Sequence, residues 1–295
     1  MKLICSKENL LNGINIVMKA VPANTTMSIL NCILVDATEN VIKLTANDGD
    51  LGIETIIEGT IAEKGMIAID AKTFSEIVRS LPDEDITLDV DKNNNIKVVY
   101  GNGKSHFNIN GENGESFSYL PYIEKNEAIV ISQLAFKDVI RQTIFSIDST
   151  SSNKIMSGVH LFVNGEKLKA TSTDSHRISI RNVILKNSYA PVEAIVPGKA
   201  LNEISKIMSS NDSDDVSIYF SSKHVLFEFD DTVVVSRLIE GEYFKIDQML
   251  NGNYETKVSI NKKEFLSCID RATLLVKEGD KKPIIVNIED SKLEL

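Results

Sequence analysis

The chain has 295 residues, of which 42% are apolar and 25% are charged, and its formal net charge at pH 7 is −10. This is enough sequence for two hydrophobic cores of about 120 residues each, with some chain left over. The N-terminal apolar run is too short for a signal peptide and no segment approaches about 18 apolar residues, which argues against a secreted or membrane-spanning protein. We therefore expect a cytoplasmic protein without a membrane partner.

The first predicted elements are a short strand and an amphipathic helix within residues 2–18. The same order of strand, cap residue and apolar helix face returns at residues 128–144 and again at residues 257–274. Ser and Asn suit the cap position, because their side-chain oxygens accept from the free N–H groups of the first helical turn. The predicted caps are Ser6, Ser132 and Asn261.

A second helix and further strands follow in each of the first two copies. Residues 42–50 match residues 168–176 at an offset of 126, which places Asp48 on Asp174. Apolar periodicity then predicts one helix and one strand pair in each copy. The helices are residues 71–81 and 198–208, and the strand pairs are residues 86–90 with 96–100 and residues 216–220 with 225–229.

The repeated unit predicts an α+β fold of tandem domains. Each unit has two βαβββ-like halves, each half carries one helix, and the helices cover one side of the sheets. Repetition on this scale indicates repeated whole domains. The predicted domains are residues 1–126, residues 127–254 and residues 255–295, the last being the incomplete N-terminal part of a third domain.

Charge is distributed unevenly between the predicted helices and the rest of the chain. The helices carry 11 Lys or Arg and 6 Asp or Glu, whereas the strands and loops carry the excess acid. Two interpretations fit this pattern. The helices either have ordinary solvated faces, or share one face of an assembly and line a mildly basic surface inside an acidic shell. The ranges counted are residues 7–20, 72–81, 132–146, 198–209 and 261–275.

Residues 173–177 form the densest polar cluster in the sequence. Asp174 and His176 invite a catalytic-triad interpretation, but neighbouring side chains diverge in a strand or tight turn, which disfavours a proton relay. Two alternatives are a structural turn capped by Asp174 and a binding surface. No His-rich or carboxylate cluster has the spacing of metal ligands, so we expect neither a metal nor another cofactor.

Two further motifs have structural interpretations. Cys5, Cys32 and Cys268 are too far apart in sequence for a disulfide framework or a zinc site, and we expect them to be buried as small hydrophobic residues. Residues 101–105 look like the end of a phosphate-binding loop, but Val98 stands where its first Gly belongs. This segment therefore predicts a hairpin turn.

Seven short segments carry a combined pattern that is specific in its order and spacing. They are residues 1–14 (MKLICSKENLLNGI), 25–34 (TTMSILNCIL), 74–82 (FSEIVRSLP), 152–158 (SNKIMSG), 173–178 (TDSHRI), 196–199 (VPGK) and 240–250 (EGEYFKIDQML). On these segments the chain resembles the β subunit of bacterial DNA polymerase III, the replicative sliding clamp. The similarity runs along essentially all 295 residues.

The resemblance implies a ring around DNA. Members of this family have three similar domains per chain, and two chains join head to tail, with helices lining the hole and sheets forming the outer rim. Such a homodimer holds duplex DNA by topology, so a light positive potential is sufficient and strong base readout would prevent sliding. The implied role is a non-catalytic accessory subunit of a DNA-directed DNA polymerase, a nucleotidyltransferase.

The resemblance also implies three sets of site residues. Short peptides of the polymerase III α subunit, the clamp loader and other polymerases or repair proteins bind a groove that suits Leu or Phe anchors. Its matching residues here are Met156, Thr173, Ser175, His176, Arg177, Ile178 and Met249, with Leu250 nearby. The implied DNA contacts are Lys72, Lys137, Arg141, Lys154 and Lys199. The implied subunit junction has Phe74, Ile77, Phe107 and Ile109 on one side and Leu274 and Leu275 on the other.

The sequence departs from the family pattern at several positions. Asn24 stands where many members have an Arg that reaches DNA, Ser175 replaces the Gly of the TDGHR motif, and residues 243–246 replace the FPDY segment. The third copy is about 85 residues shorter than the roughly 125 of a complete core. We expect this chain to be a truncated product with impaired ring closure, since a head-to-tail ring needs both complementary patches.

Two other functions remain as alternatives. An acidic scaffold that binds only proteins predicts that neutralising Lys72, Lys137 and Lys199 changes no activity. A hydrolase that uses Asp174 and His176 predicts that replacing His176 by Ala abolishes turnover, whereas a clamp loses only part of its partner binding.

Overall fold

A computed structural model describes residues 1–250, 255–274, 276, 284–289 and 292–295. The chain divides into two compact units, Met1–Tyr243 and Phe244–Leu295. The first unit holds the matching helices of the first two sequence copies. Within the described ranges, no helix has the length and apolarity needed to cross a membrane.

In both copies a strand and a helix come first, and a second helix precedes a group of three strands. The helices are α1 (Lys7–Val17), α2 (Ala71–Ser80), α3 (Gln133–Thr143), α4 (Gly198–Ile207), α5 (Ile246–Leu250) and α6 (Lys262–Thr273). The strands are β1 (Lys2–Ser6), β2 (Cys32–Asp36), β3 (Ile42–Asn47), β4 (Leu51–Ile57), β5 (Thr60–Glu63), β6 (Met66–Asp70), β7 (Asp85–Val90), β8 (Asn95–Tyr100), β9 (Ser105–Asn110), β10 (Glu112–Asn113), β11 (Ile129–Ser132), β12 (Gly158–Thr173), β13 (Ile178–Pro197), β14 (Asp215–Phe220), β15 (His224–Phe229), β16 (Thr232–Arg237), β17 (Asn287–Ile288) and β18 (Leu293–Glu294).

The predicted helix caps are confirmed. The Ser6 hydroxyl accepts a hydrogen bond from the Asn9 N–H at 3.2 Å, and the Ser132 hydroxyl accepts one from the Ala135 N–H at 3.2 Å. The Asn261 side chain accepts from the N–H groups of the first turn of α6 in the same way. Each cap satisfies donors that have no partner inside the helix, which is why these helices begin where the sequence predicts.

In the first copy, the first strand of each half pairs with a strand of the other half. Strand β1 precedes α1 but pairs antiparallel with β7, which follows α2. Strand β6 precedes α2 but pairs antiparallel with β2, which follows α1. In the second copy β11 pairs with β14, and the end of β13 pairs with the start of β12, in the same way. The two halves of a copy are therefore interlocked.

One continuous nine-stranded sheet joins the two copies. Its order is β10-β6-β2-β3-β4-β16-β15-β14-β11. Strand β4 of the first copy pairs antiparallel with β16 of the second, with Ile53 opposite Val234. At this joint the buried hydroxyls of Thr55 and Thr232 lie 2.9 Å apart and share a hydrogen bond.

In the described part of the first unit, β9 and β13 are among the strands that stand at a sheet edge. Strand β9 ends the five-stranded sheet β5-β1-β7-β8-β9, and β13 forms a two-stranded sheet with β12. By the sequence repeat, β9 corresponds to β16 and the beginning of β13 corresponds to β4. The open strands are thus the counterparts of the two strands that form the joint.

The helices of each copy pack as a pair on the sheets. Helix α1 contacts α2, β3 and β4, whereas α3 contacts α4, β12 and β13. The largest fully buried side chains include Phe74, Phe136 and Phe227, and the rings of the last two lie 5.6 Å apart. The prediction of an α+β fold with helices packed on sheets is confirmed.

Three local predictions can be compared with the structure. Residues 101–104 connect β8 and β9 as a hairpin turn, as predicted. Cys5 and Cys32 are buried, as predicted, but Cys268 is only half-buried. The helix predicted over residues 132–146 ends as an α-helix at Thr143, and a short 3-10 turn, Ile144–Ser146, follows it.

Candidate functional site

A tight turn between β12 and β13 organises the polar cluster of residues 173–177. The Asp174 carboxylate accepts hydrogen bonds from the N–H groups of His176 at 3.1 Å and Arg177 at 3.0 Å. Ser175 lies between them with φ at 72°, in the left-handed region that favours Gly. This explains why a Gly suits the position that Ser175 occupies here.

The Arg177 side chain is held on three sides. Its Nε donates to Asp174 at 2.8 Å, its Nη2 donates to the Phe145 carbonyl at 2.7 Å, and the guanidinium lies 5.4 Å from the centre of the Phe145 ring. Partial burial acts to raise the pKa of the Asp174 carboxyl, but hydrogen bonds from His176 and Arg177 outweigh it, so the pKa is lowered. Asp174 therefore stays ionised beside the guanidinium.

The predicted groove residues of the first unit lie around this turn. The buried Thr173 hydroxyl donates to the Arg177 carbonyl at 2.9 Å and accepts from the Ser175 N–H at 3.3 Å. The Ser175 hydroxyl reaches the sulfur of Met156 at 3.5 Å. Ile178 follows at the start of β13 and is half-buried. The cluster thus combines apolar surface with a few fixed polar groups.

Two residues qualify this assignment. Met249 lies on α5 in the second unit, where its side chain is 64% exposed. Phe145, which is 55% exposed, contacts Arg177 and was missed by the sequence prediction. The sequence does contain a sign of this role, because Phe145 is a large aromatic residue that does not continue the apolar face of α3.

The geometry does not support a catalytic pair of Asp174 and His176. The Asp174 carboxylate bonds to two backbone N–H groups and to the Arg177 guanidinium, and its contact with His176 is to the backbone N–H. The His176 side chain is exposed. A relay requires the carboxylate to hold the imidazole itself. The hydrogen bonds of Asp174 therefore fix the shape of the turn and the position of Arg177.

The first copy contains the same turn with a different partner. Asp48 accepts from the N–H groups of Asp50 at 3.0 Å and Leu51 at 2.7 Å, and Gly49 has φ at 97°. The other Asp48 oxygen lies 2.5 Å from the Nζ of Lys199, which belongs to the second copy. The matching carboxylates thus hold Arg177 in one copy and Lys199 in the other.

The five predicted DNA contacts differ in their surroundings. Lys72 is exposed on α2, and Lys154 and Lys199 line one cavity of about 560 Å³ together with Arg237. Lys137 is half-buried, and its Nζ donates to the Met208 carbonyl at the end of α4 at 3.1 Å. The side chain of Arg141, the fifth residue, donates to Asp138 at 2.8 Å. The structure therefore brings together Lys154 and Lys199.

Two of the six predicted junction residues lie at one open sheet edge. Phe107 and Ile109 belong to β9, and the Phe107 ring is 38% exposed and stacks on Tyr100 with 5.7 Å between centroids. Ile77 on α2 is half-buried. Leu274 follows α6 and is 79% exposed, whereas Leu275 lies outside the described residues.

Phe74 requires a correction. Its side chain is fully buried in the core of the first copy, on the inward face of α2 with Val78. A partner subunit could contact it only after that core opened. We therefore leave Phe74 out of the proposed junction.

Comparison with known proteins assigns both copies to the same protein family. The family description of the DNA polymerase III beta subunit N-terminal domain matches residues 1–121, and that of its central domain matches residues 130–245. The chain belongs to the DNA polymerase III beta subunit family. This clamp is therefore a non-catalytic processivity subunit of the replicative DNA polymerase III holoenzyme.

Individual relatives agree with this assignment. The beta sliding clamp of Staphylococcus aureus is 33% identical over 303 residues, which cover all of this chain and 80% of the relative. The sliding clamp of Bacillus subtilis superposes with a TM-score of 0.91 at 32% identity, over 100% of this chain and 83% of the other. A DNA polymerase III beta subunit assigned in Eubacterium rectale gives 0.96 at 59% identity, over 99% and 80%. The predicted fold of tandem clamp domains is confirmed.

Proposed function

We propose that this clamp encircles duplex DNA as a head-to-tail homodimer and tethers polymerases through the groove around residues 173–178. The observation that carries the proposal is the joint between β4 and β16. It shows that one copy of the repeat binds the next by pairing two defined strand edges.

The same joint can be repeated between chains. Strand β9 is the counterpart of β16, and the beginning of β13 is the counterpart of β4, and both have open edges. An open strand edge is a template for pairing with another chain. If β9 of one chain pairs with a second chain as β16 pairs with β4, the second chain is added in the same direction along the assembly. This is a head-to-tail contact, and it closes a ring when the rotation between successive copies adds up to a full turn.

Side chains on β9 support its use as a junction. Phe107 presents an exposed ring stacked on Tyr100, and Ile109 is half-buried on the same strand. A few well-packed anchor residues, often aromatic, supply most of the energy of an interface. Ile77, Leu274 and Leu275 complete the proposed junction.

The proposed DNA surface consists of the helices and the residues beside them. Its contacts are Lys72, Lys137, Arg141, Lys154 and Lys199. Phosphate contacts of this kind position the duplex and carry no sequence information, which suits a protein that must slide. The excess of basic over acidic residues on the helices supports this assignment.

The proposed groove binds short linear peptides of the polymerase III α subunit, the clamp loader and other polymerases or repair proteins. Met156 and Ile178 supply apolar surface, and Thr173, Ser175, His176 and Arg177 supply polar groups. We assign residues 1–126, 127–254 and 255–295 to three successive clamp domains. The clamp acts in the cytoplasm, where a bacterium keeps its replicating DNA.

Retention on closed and open DNA tests the encirclement. Encirclement predicts that the protein remains on a nicked circular plasmid at a salt concentration that suppresses phosphate contacts and is lost when the plasmid is linearised, whereas impaired ring closure predicts loss from both forms. Phe107→Asp should abolish retention on the circle by disrupting the junction. Equal retention of the unaltered protein on both forms would contradict encirclement and indicate an ordinary electrostatic binder.

A further inference from the structure

A cavity where the two copies meet combines both signs of charge. This junction cavity has a volume of about 560 Å³ and lies beside the joint of β4 and β16. Its cationic lining residues are Lys154, Lys199 and Arg237, and its acidic lining residues are Asp48, Asp50 and Glu240. Two of the proposed DNA contacts, Lys154 and Lys199, therefore share a cavity with three carboxylates.

In the ion pair between Asp48 and Lys199, the carboxylate is buried and the lysine is exposed. Their charged atoms lie 2.5 Å apart, and the Asp48 side chain is 8% exposed whereas that of Lys199 is 67% exposed. The Asp48 carboxylate is fixed by the N–H groups of Asp50 and Leu51. The carboxylate thus has a set position before the lysine reaches it, and the lysine can leave while the carboxylate stays.

The sequence repeat provides an internal comparison. Lys72 is the second residue of α2, as Lys199 is the second residue of α4. Lys72 is exposed and makes no ion pair with any described residue. The first copy therefore presents its lysine to solvent, whereas the second copy binds its lysine to a carboxylate of the first.

We propose that Asp48 is a positioning residue that withholds Lys199 from the phosphates of duplex DNA. This inference rests on the proposed DNA surface. A lysine that binds a phosphate releases a counterion and must break that contact whenever the protein moves along the duplex. By competing with the phosphates for Lys199, Asp48 keeps the grip light enough for sliding.

The salt dependence of DNA binding tests this role. The probe is a short fluorescein-labelled duplex, titrated with the full chain over a series of NaCl concentrations and followed by anisotropy. Asp48→Asn keeps the side-chain oxygen that caps the turn but removes the charge. We expect this variant to bind up to about fivefold more tightly at low salt, the value of one partly exposed ion pair. We expect its plot of log K against log salt to steepen by about 0.9, the contribution of one phosphate.

Three further variants identify the source of the change. Asp48→Asn combined with Lys199→Gln should return to the slope of the unaltered protein, because Lys199 makes the added contact. Asp89→Asn removes the same charge and releases Lys2, its partner at 3.7 Å on the five-stranded sheet, and should leave the slope unchanged. Asp48→Ser, which is neutral and keeps an oxygen at the turn, repeats the measurement if Asp48→Asn unfolds.

The outcomes separate this inference from the proposed function. An unchanged slope in both Asp48 variants, or an equal rise in Asp89→Asn, would overturn the role of Asp48. Lys72→Gln tests the DNA surface itself and should make the plot of log K against log salt shallower by about 0.9. If Lys72→Gln leaves the slope unchanged, the proposed DNA-facing surface is wrong, whatever the Asp48 variants show.

Discussion

Ser175 occupies a backbone conformation that its side chain disfavours. Its φ is 72°, and the matching residue of the first copy, Gly49, has φ at 97°. Residues with a Cβ atom pay a steric cost in this region, whereas Gly adopts it freely. The two copies thus make the same turn with and without that cost.

We expect Ser175→Gly to raise the free energy of unfolding by roughly 0.5–1 kcal/mol, because it removes this strain. Gly49→Ser is the matched reverse change and should lower it by a similar amount. No atom lies within 4 Å of a Cβ built at Gly49, so its effect comes from the backbone alone. Urea unfolding of both variants measures the difference, and changes of the same sign would contradict the explanation.

Asp214 makes part of the stability depend on pH. Hydrogen bonds from the Ser209 hydroxyl at 2.6 Å and from the Asn211 amide at 3.2 Å lower the pKa of its carboxyl. The folded pKa thus lies below the unfolded one. The resulting stabilisation is fully present above the unfolded pKa and is lost as pH falls through the folded pKa.

We expect Asp214→Asn to lower the urea midpoint at neutral pH, and this difference from the unaltered protein to shrink below about pH 4. Ser209→Ala removes the first hydrogen-bond donor and should reproduce part of the effect. A difference that stays constant from neutral to acidic pH would show that the carboxylate charge is not its source.

At the scale of elements, α1 approaches its sheet through a glycine. A Cβ at Gly13 would lie 2.5 Å from Ile57 Cγ2 and 2.8 Å from Leu44 Cδ1, closer than real contacts allow. The matching position of α3 is Val139, which is buried. The second copy therefore accommodates a branched side chain at the helix position where the first copy requires none.

Gly13→Ala should destabilise the protein by about 1–3 kcal/mol through overpacking, although Ala is the better helix former by about 1 kcal/mol. Asn12→Ala, one residue away on the exposed side of α1, is the control and should be neutral or slightly stabilising. Thermal or urea unfolding tests the pair. Stabilisation by Gly13→Ala would mean that α1 can move away from the sheet without loss.

Local signals explain which elements the sequence could predict. The caps of α1, α3 and α6 and the apolar faces of α1 and α3 depend on residues close in sequence, and they are found where predicted. The exchange of β1 and β6 between the two halves depends on partners far along the chain and has no local signal. Phe74 was assigned to the junction by its position in the family pattern, although the periodicity of α2 places it on the inward face.

The candidate site shows the same limit. Thr173 to Ile178 are adjacent in sequence, so a short motif could find them. Phe145 and Arg177 are 32 residues apart, and Asp48 and Lys199 are 151 apart, yet each pair is in contact. Such contacts are set by the register of β12, β13 and β4, which a single sequence does not display.

At the scale of the whole molecule, the three thiols differ in burial between the two units. Cys5 and Cys32 are buried in the first unit, where burial raises the pKa of each thiol to about 12. Cys268 is half-buried on α6 in the second unit, and Arg271 donates to its sulfur at 3.2 Å. Thiolates are the reactive form, so the first two should resist modification.

We therefore expect one thiol to react quickly with a disulfide reagent at mildly alkaline pH, and all three to react in denaturant. Cys268→Ser should remove the fast phase, whereas Cys5→Ser should leave it intact. Fast reaction of Cys32 in the native protein would show that the first unit opens more readily than its packing indicates.

The joint between β4 and β16 also constrains how the protein is made. Its partners Thr55 and Thr232 are 177 residues apart, so a ribosome adding about 5–20 residues per second needs about 9–35 s to deliver the second after the first. During this interval the newly made first copy carries an unpaired strand on which other nascent chains can aggregate. Glu54 lies in the middle of β4. Its charge discourages such pairing until β16 emerges.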